Sequence, residues 1–179
     1  MLFLFFIVAF LTSLKLRNDW RHSMRKRISR HVQEGASSEC NWLNVEELAE
    51  VEITSEDAAH PIESALVPGG TSGWRAAEPG DQTIRLLFHH PQQLRRIWIN
   101  FVELETARTQ EYVLRWSSDN GRSFREIVRQ QWNFSPPNTT NETEDHRVEL
   151  PADIILELSI KPDISSGTAF ASLANLRLA

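Results

Sequence analysis

The sequence predicts an all-β fold, an antiparallel β-sandwich over residues 45–179. Three observations predict it. Short apolar or alternating runs recur through this region, each closed by turn residues. No window shows a sustained helical period, and no internal repeat is visible. Asp119-Asn120-Gly121 stands between two such runs, and Asn-Gly readily takes the positive φ angles that a tight hairpin turn requires.

The elements follow in chain order. Val45-Glu46-Glu47-Leu48-Ala49 reads as a helical turn or as the lead-in to the first strand. Residues 51–54 form that strand. Residues 83–88 form the second, stopped by Pro91, with His89-His90 as a solvated turn before the proline. Residues 94–102 form the third; alternation puts Ile97, Ile99 and Phe101 on one face and Trp98 and Asn100 on the other. Residues 112–116 form the fourth. After the Asn-Gly turn, residues 124–128 return, in a run that extends toward Phe134. Residues 135–143, with Pro136-Pro137, read as a loop. Residues 147–150, 154–160 and 169–178 complete the set.

This order of features resembles the discoidin (coagulation-factor type C) family, the galactose-binding-like carbohydrate-binding modules. The resemblance spans about residues 50–179 and rests on five places. Ile53-Thr54-Ser55-Glu56-Asp57 with His60-Pro61 is similar to the opening strand and loop. Ala65-Leu66, Gly69-Gly70 and Gly73-Trp74 match the stretch where the family carries Ala-Leu-Asp-Gly and a buried Trp. Residues 82–88, with Pro91 and Leu94-Arg95-Arg96-Ile97, resemble its paired strands. Tyr112 through Phe124 resembles its hairpin with a Ser-x-Asp-Gly-x-x-aromatic element, and Ala171 through Leu178 its closing strand. The resemblance implies a galactose-binding-domain-like jelly-roll sandwich that binds rather than catalyses. Many members also hold a structural calcium ion near the Ala-Leu-Asp-Gly loop, with a Glu of the last strand as a further ligand. Here Val67-Pro68 replaces the Asp and Asn175 stands in place of the Glu. Calcium needs several oxygen ligands, some charged. A calcium site is therefore not favoured, although Asp57 and backbone carbonyls leave room for a weak one; no cofactor or metal ligand is expected.

The region outside the sandwich is unlike it. Residues 1–14 are almost wholly apolar but shorter than the about 20 residues of a membrane-spanning helix. Residues 15–30 then carry a net charge of +6. A secretory signal has its positive charge before the apolar run, not after it. Residues 1–30 thus read as a short membrane anchor, a degenerate export signal, or an over-extension upstream of a start at Met24. The last implies a cytoplasmic protein; the others imply membrane association or export, and membrane contact follows only if this segment is genuine. Residues 31–44 read as a polar linker with Gly35, Ser37 and Ser38. One cysteine, Cys40, forms no internal disulfide and no cysteine-rich zinc site.

Residues 45–179 carry 12 basic and 21 acidic side chains, a net of −9, which makes the body a poor polyanion binder and sets nucleic acid aside. No catalytic constellation stands out. Glu103 and Glu105 would share one strand face rather than span a cleft as a glycosidase pair does. Ser55, Asp57 and His60 have the residue types of a triad without a nucleophile elbow. Gly69-Gly70 and Gly73 lack the Lys-Ser/Thr of a phosphate loop.

Sugar binding calls for a flat aromatic face and planar hydrogen-bonding groups, carried on loops at one end of a sandwich. Gln130-Gln131-Trp132-Asn133-Phe134 is the best local cluster, with Gln130, Trp132, Asn133 and Phe134 as candidate contacts. Trp132 and Phe134, two residues apart, equally fit a strand face that fills the core. Trp74 with Arg75 is the second candidate, although the resemblance makes Trp74 a core residue. Arg108 and His60 are candidate polar contacts from their loops. The resulting expectation is a non-catalytic module that recognises a glycan through loops at one end of the sandwich. The alternative is a protein–protein interaction adaptor on the same scaffold.

Overall fold

The computed structural model describes residues 41–179, apart from Thr71 and Ser166 and without the side chains of Asp153 and Ile154. The expectations for residues 1–40 lie outside the described residues. The order is α1 (Val45–Leu48), β1 (Ala49–Ile53), α2 (Glu63–Leu66), β2 (Trp74–Pro79), β3 (Gln82–Gln92), β4 (Arg96–Val102), β5 (Arg108–Ser117), β6 (Arg125–Phe134), β7 (Asn141–Arg147), β8 (Asp153–Lys161), β9 (Phe170–Leu173) and β10 (Asn175–Leu178). A five-stranded sheet runs β1-β3-β8-β5-β6 and a three-stranded sheet runs β10-β4-β7. β2 and β9 form a separate ribbon. Every pairing is antiparallel. Among the described residues, no helix is long and apolar enough to cross a membrane.

Alternation builds the core. Ile84, Leu86 and Phe88 of β3, Tyr112 and Leu114 of β5, and Leu156, Leu158 and Ile160 of β8 are buried from one sheet. Ile97, Ile99 and Phe101 of β4 with Leu176 and Leu178 of β10 are buried from the other, as the period-2 reading of residues 94–102 predicts. Phe101 and Tyr112 meet with ring centroids 5.2 Å apart. Each such side chain contributes about 1.5–3 kcal/mol by burial.

Four boundaries differ from expectation, each for a visible reason. β3 continues through His89, His90 and Pro91 to Gln92. Its ladder with β8 slips between Leu87 and Gln92, and β1 stops pairing at Phe88, so Pro91 occupies an unladdered stretch where its missing N–H costs nothing. The strand expected at residues 147–150 lies upstream, as β7, which begins within the expected loop at Asn141. The expected closing strand divides at Ala174: β9 pairs with β2, while β10 pairs with β4. Finally, the end of the expected linker belongs to the fold. Leu43 donates its N–H to Leu178 O at 2.8 Å, and the Arg96 guanidinium lies 5.0 Å from the Trp42 ring centre. The hairpin is present with Asn120 at φ 59° and Gly121 at φ 79°, but in a longer loop than a two-residue turn, since β6 begins at Arg125. Asp119 organises that loop, accepting from Ser117 Oγ, Ser123 N and Ser123 Oγ at 2.6–2.9 Å.

Candidate functional site

β4 and β8 end, and β5 begins, at one end of the sandwich, where the chain makes its longer connections. A cleft of about 570 Å3 opens there, within the about 300–1,000 Å3 usual for ligand sites. His60 enters it from the β1–β2 connection, Trp74 and Arg75 from β2, and residues 103–106 from the β4–β5 loop. Arg108 comes from the start of β5, Asp163 with residues 167–169 from the β8–β9 connection, and Phe170 from the start of β9. Four residues singled out from the sequence, His60, Trp74, Arg75 and Arg108, are thus brought to one place from three separate segments.

Their roles differ. Trp74 is 1% exposed and forms part of the floor; its indole N–H is buried and has no partner among the described residues. Gly73 sets that floor. It has φ +64°, and a Cβ there would stand 2.7 Å from Leu173 O, so the chain passes only as glycine. Arg75 is exposed and lays its guanidinium over the Phe170 ring, 5.3 Å from the centroid. His60 Nδ1 lies 3.4 Å from Asp57 Oδ2. The backbone N–H of Ala59, and then the His60 ring, hold the Asp57 carboxyl below its ordinary value.

Arg108 is 6% exposed and acts as a brace. Its Nε donates to Glu103 Oε2 at 2.8 Å and its Nη1 to Pro162 O at 2.5 Å, tying the β4–β5 loop to the β8–β9 connection. Its guanidinium lies 5.7 Å from the Phe134 ring centre. Burial raises the Glu103 pKa, but the N–H groups of Glu105 and Thr106 together with Arg108 outweigh it and leave the carboxyl below its ordinary value. Glu103 is therefore fully engaged in shaping its loop, not placed as one half of an acid–base pair. Ser55 donates to Gln82 Oε1 at 2.8 Å, so the triad-like residue types near His60 do not assemble.

The cluster at residues 130–134 sits elsewhere. It lies on β6, the edge strand of the five-stranded sheet, not on an end loop. Gln130 Nε2 donates to Glu144 Oε1 at 3.0 Å, and Asn133 Oδ1 accepts from Thr109 Oγ1 at 2.6 Å. Trp132 is half-buried against the core with its indole N–H unpartnered, and Phe134 is 2% exposed beneath Arg108. The alternation that made Phe134 a core candidate is the reading the structure follows. A residue not singled out takes the aromatic place in the cleft: Phe170, 37% exposed. Its signal was the alternation of β9, since buried Ala171 and Leu173 flank outward positions, directly after a connection containing Gly167.

No protein-family model and no curated protein sequence matches the chain. Solved structures do. The family 32 carbohydrate-binding module from Clostridium perfringens NanJ, in complex with galactose, matches at 17% identity and a TM-score of 0.53, over 76% of this chain and 96% of that one. A second C. perfringens module, CpGH89CBM32-5 in complex with GalNAc-β-1,3-galactose, matches at 18% identity and 0.56, over 76% and 98%. The family 32 module of AlyQ, in complex with 4,5-unsaturated mannuronic acid, matches at 14% and 0.55, over 74% and 95%. The chain has the galactose-binding-like, discoidin-type fold. It spans nearly the whole of each of these modules.

The calcium site common in this fold does not fit the residues present. Ala65 O, Val67 O and Asn175 Oδ1, the oxygens nearest in sequence to the family's metal ligands, accept hydrogen bonds from the Arg177 guanidinium at 2.6–2.9 Å. The guanidinium takes up these oxygens, and Val67-Pro68 brings no carboxylate.

Proposed function

We propose that the cleft binds a saccharide and that the module is non-catalytic. The observation that carries this reading is Phe170: an aromatic ring left partly exposed, flanked by Arg75, above a floor that includes Trp74. A pyranose offers an apolar face to such a ring, and its hydroxyls suit guanidinium, imidazole and carboxylate groups. The sugars in the solved galactose-binding-like modules support the same class of ligand. A glycan array probed with the full chain, followed by titration calorimetry on the strongest glycan, tests it. Phe170→Ala and Arg75→Ala are each expected to weaken binding at least about tenfold, the equivalent of about 1.4 kcal/mol, with unchanged melting. An array on which no glycan is retained contradicts the proposal.

A specific observation favours a second reading, a protein adaptor. Of the large exposed apolar side chains among the described residues, Leu104 and Ile164 belong to the connections at this end and Phe170 opens β9, and Leu104 is 69% exposed. A concentration of exposed apolar groups marks a contact surface. Ile164→Asp, outside the cleft lining, distinguishes the two: it abolishes capture of a stoichiometric protein partner if the adaptor reading holds, and leaves glycan binding intact if the saccharide reading holds.

A further inference from the structure

We propose that Arg177 is the resident cation of this sandwich, a covalently attached replacement for the calcium ion that the fold often holds, so that folding and binding need no metal. The guanidinium sits in an oxygen cage. Nη1 donates to Ala65 O at 2.6 Å and Leu176 O at 2.7 Å; Nη2 donates to Val67 O at 2.9 Å and Asn175 Oδ1 at 2.9 Å. All four acceptors are neutral carbonyl or amide oxygens, and among the described residues Arg177 makes no ion pair. A partly buried charge held by converging carbonyl dipoles is the arrangement a hard metal ion would take, with a planar donor fork in its place.

The local sequence explains the geometry. Leu176 and Leu178 of β10 point into the core, so Asn175 and Arg177 share the opposite face, toward α2. α2 is a single turn, and its last carbonyls lack intrahelical partners. Arg177 supplies Ala65 O with a partner and adds a second donor at the C-cap carbonyl of Val67, across 110 or more residues of sequence. It thereby fastens the segment that leads from α2 through Gly73 to Trp74 and Arg75. The two substitutions that remove the family's carboxylates, at Val67-Pro68 and Asn175, are what a guanidinium would select: no neighbouring negative charge is needed when the cation cannot leave.

Melting of the full chain tests this. The wild-type midpoint is predicted to agree within about 1 °C in EDTA and in millimolar calcium chloride; a rise of about 5 °C or more with calcium, or unfolding in EDTA, overturns the proposal. Arg177→Met is predicted to lower the midpoint by about 5 °C or more and Arg177→Lys by less, because an ammonium reaches fewer of the four oxygens. A wild-type midpoint for Arg177→Met overturns it. Asn175→Glu combined with Arg177→Ser, which vacates the cage and returns a carboxylate, is predicted to melt higher with calcium than with EDTA. The absence of any calcium response in that variant shows that these oxygens are not a cation cage, and also overturns the proposal.

Discussion

Gly73 and Phe170 show how single residues shape the cleft. Gly73 combines a left-handed φ with a Cβ position blocked by the β9–β10 backbone. Gly73→Ala is predicted to cost roughly 2–4 kcal/mol, the sum of left-handed strain and overpacking, read as a lower urea midpoint at unchanged slope. His60, Trp74, Arg75 and Arg108 were legible in the sequence as isolated candidates. What could not be read was that they converge, because segments far apart in sequence meet only through sheet register. Arg108 was legible as a polar contact but not as a brace, since Pro162 and Glu103 become its partners only in the fold. Phe170 was missed because it stands inside a run read as one continuous strand, and the break at Ala174 that creates β9 is a tertiary event.

At the scale of elements, β7 is the instructive case. Asn141-Glu142-Thr143-Glu144-Asp145-His146-Arg147 contains no apolar residue, and hydrophobic periodicity therefore read its start as loop and placed a strand only from Arg147. Its period-2 signal lies in burial instead: Glu142, Glu144 and His146 face inward. They are tolerated because partners meet them. Gln130 donates to Glu144, and the Tyr112 hydroxyl lies 2.9 Å from His146 Nε2. β3, β4, β5 and β8 were legible because their inward residues are mostly aliphatic or aromatic, whereas β2, with only Trp74 and Ala76 inward, was not read as a strand. The pairing of β7 also has a measurable consequence. Burial, then the hydrogen bond and negative charge of Glu144, push the Glu142 carboxyl up to about 7 from an ordinary 4.5. The folded state therefore binds the proton more tightly than the unfolded chain between those values. That contribution to stability is complete below about pH 4.5 and is lost as pH rises through about 7. The melting midpoint is predicted to fall between about pH 5.5 and 8, and Glu142→Gln to flatten that slope. The carboxyls of Asp57, Glu103, Glu111, Asp145 and Asp163 are lowered and act with opposite sign, below their ordinary range, so they do not intrude on this window.

At the scale of the whole molecule, the sandwich separates support from recognition. Its outer face pairs opposite charges: Glu52, Arg85, Glu157, Arg115 and Glu126 stand in one register row across all five strands, alternating in sign. Exposed apolar groups are instead concentrated at the cleft end, where Arg177 and Arg108 hold the converging segments in place. The saccharide reading places the ligand in this cleft and not on the β6 cluster. The most direct measurement is a nitrogen-15 chemical-shift titration of the full chain with the glycan selected on the array, following the tryptophan indole N–H signals. The account predicts that the Trp74 indole and the Phe170 amide shift with ligand while the Trp132 indole does not. Shifts centred on Trp132 and Asn133, with Trp74 unmoved, would contradict it.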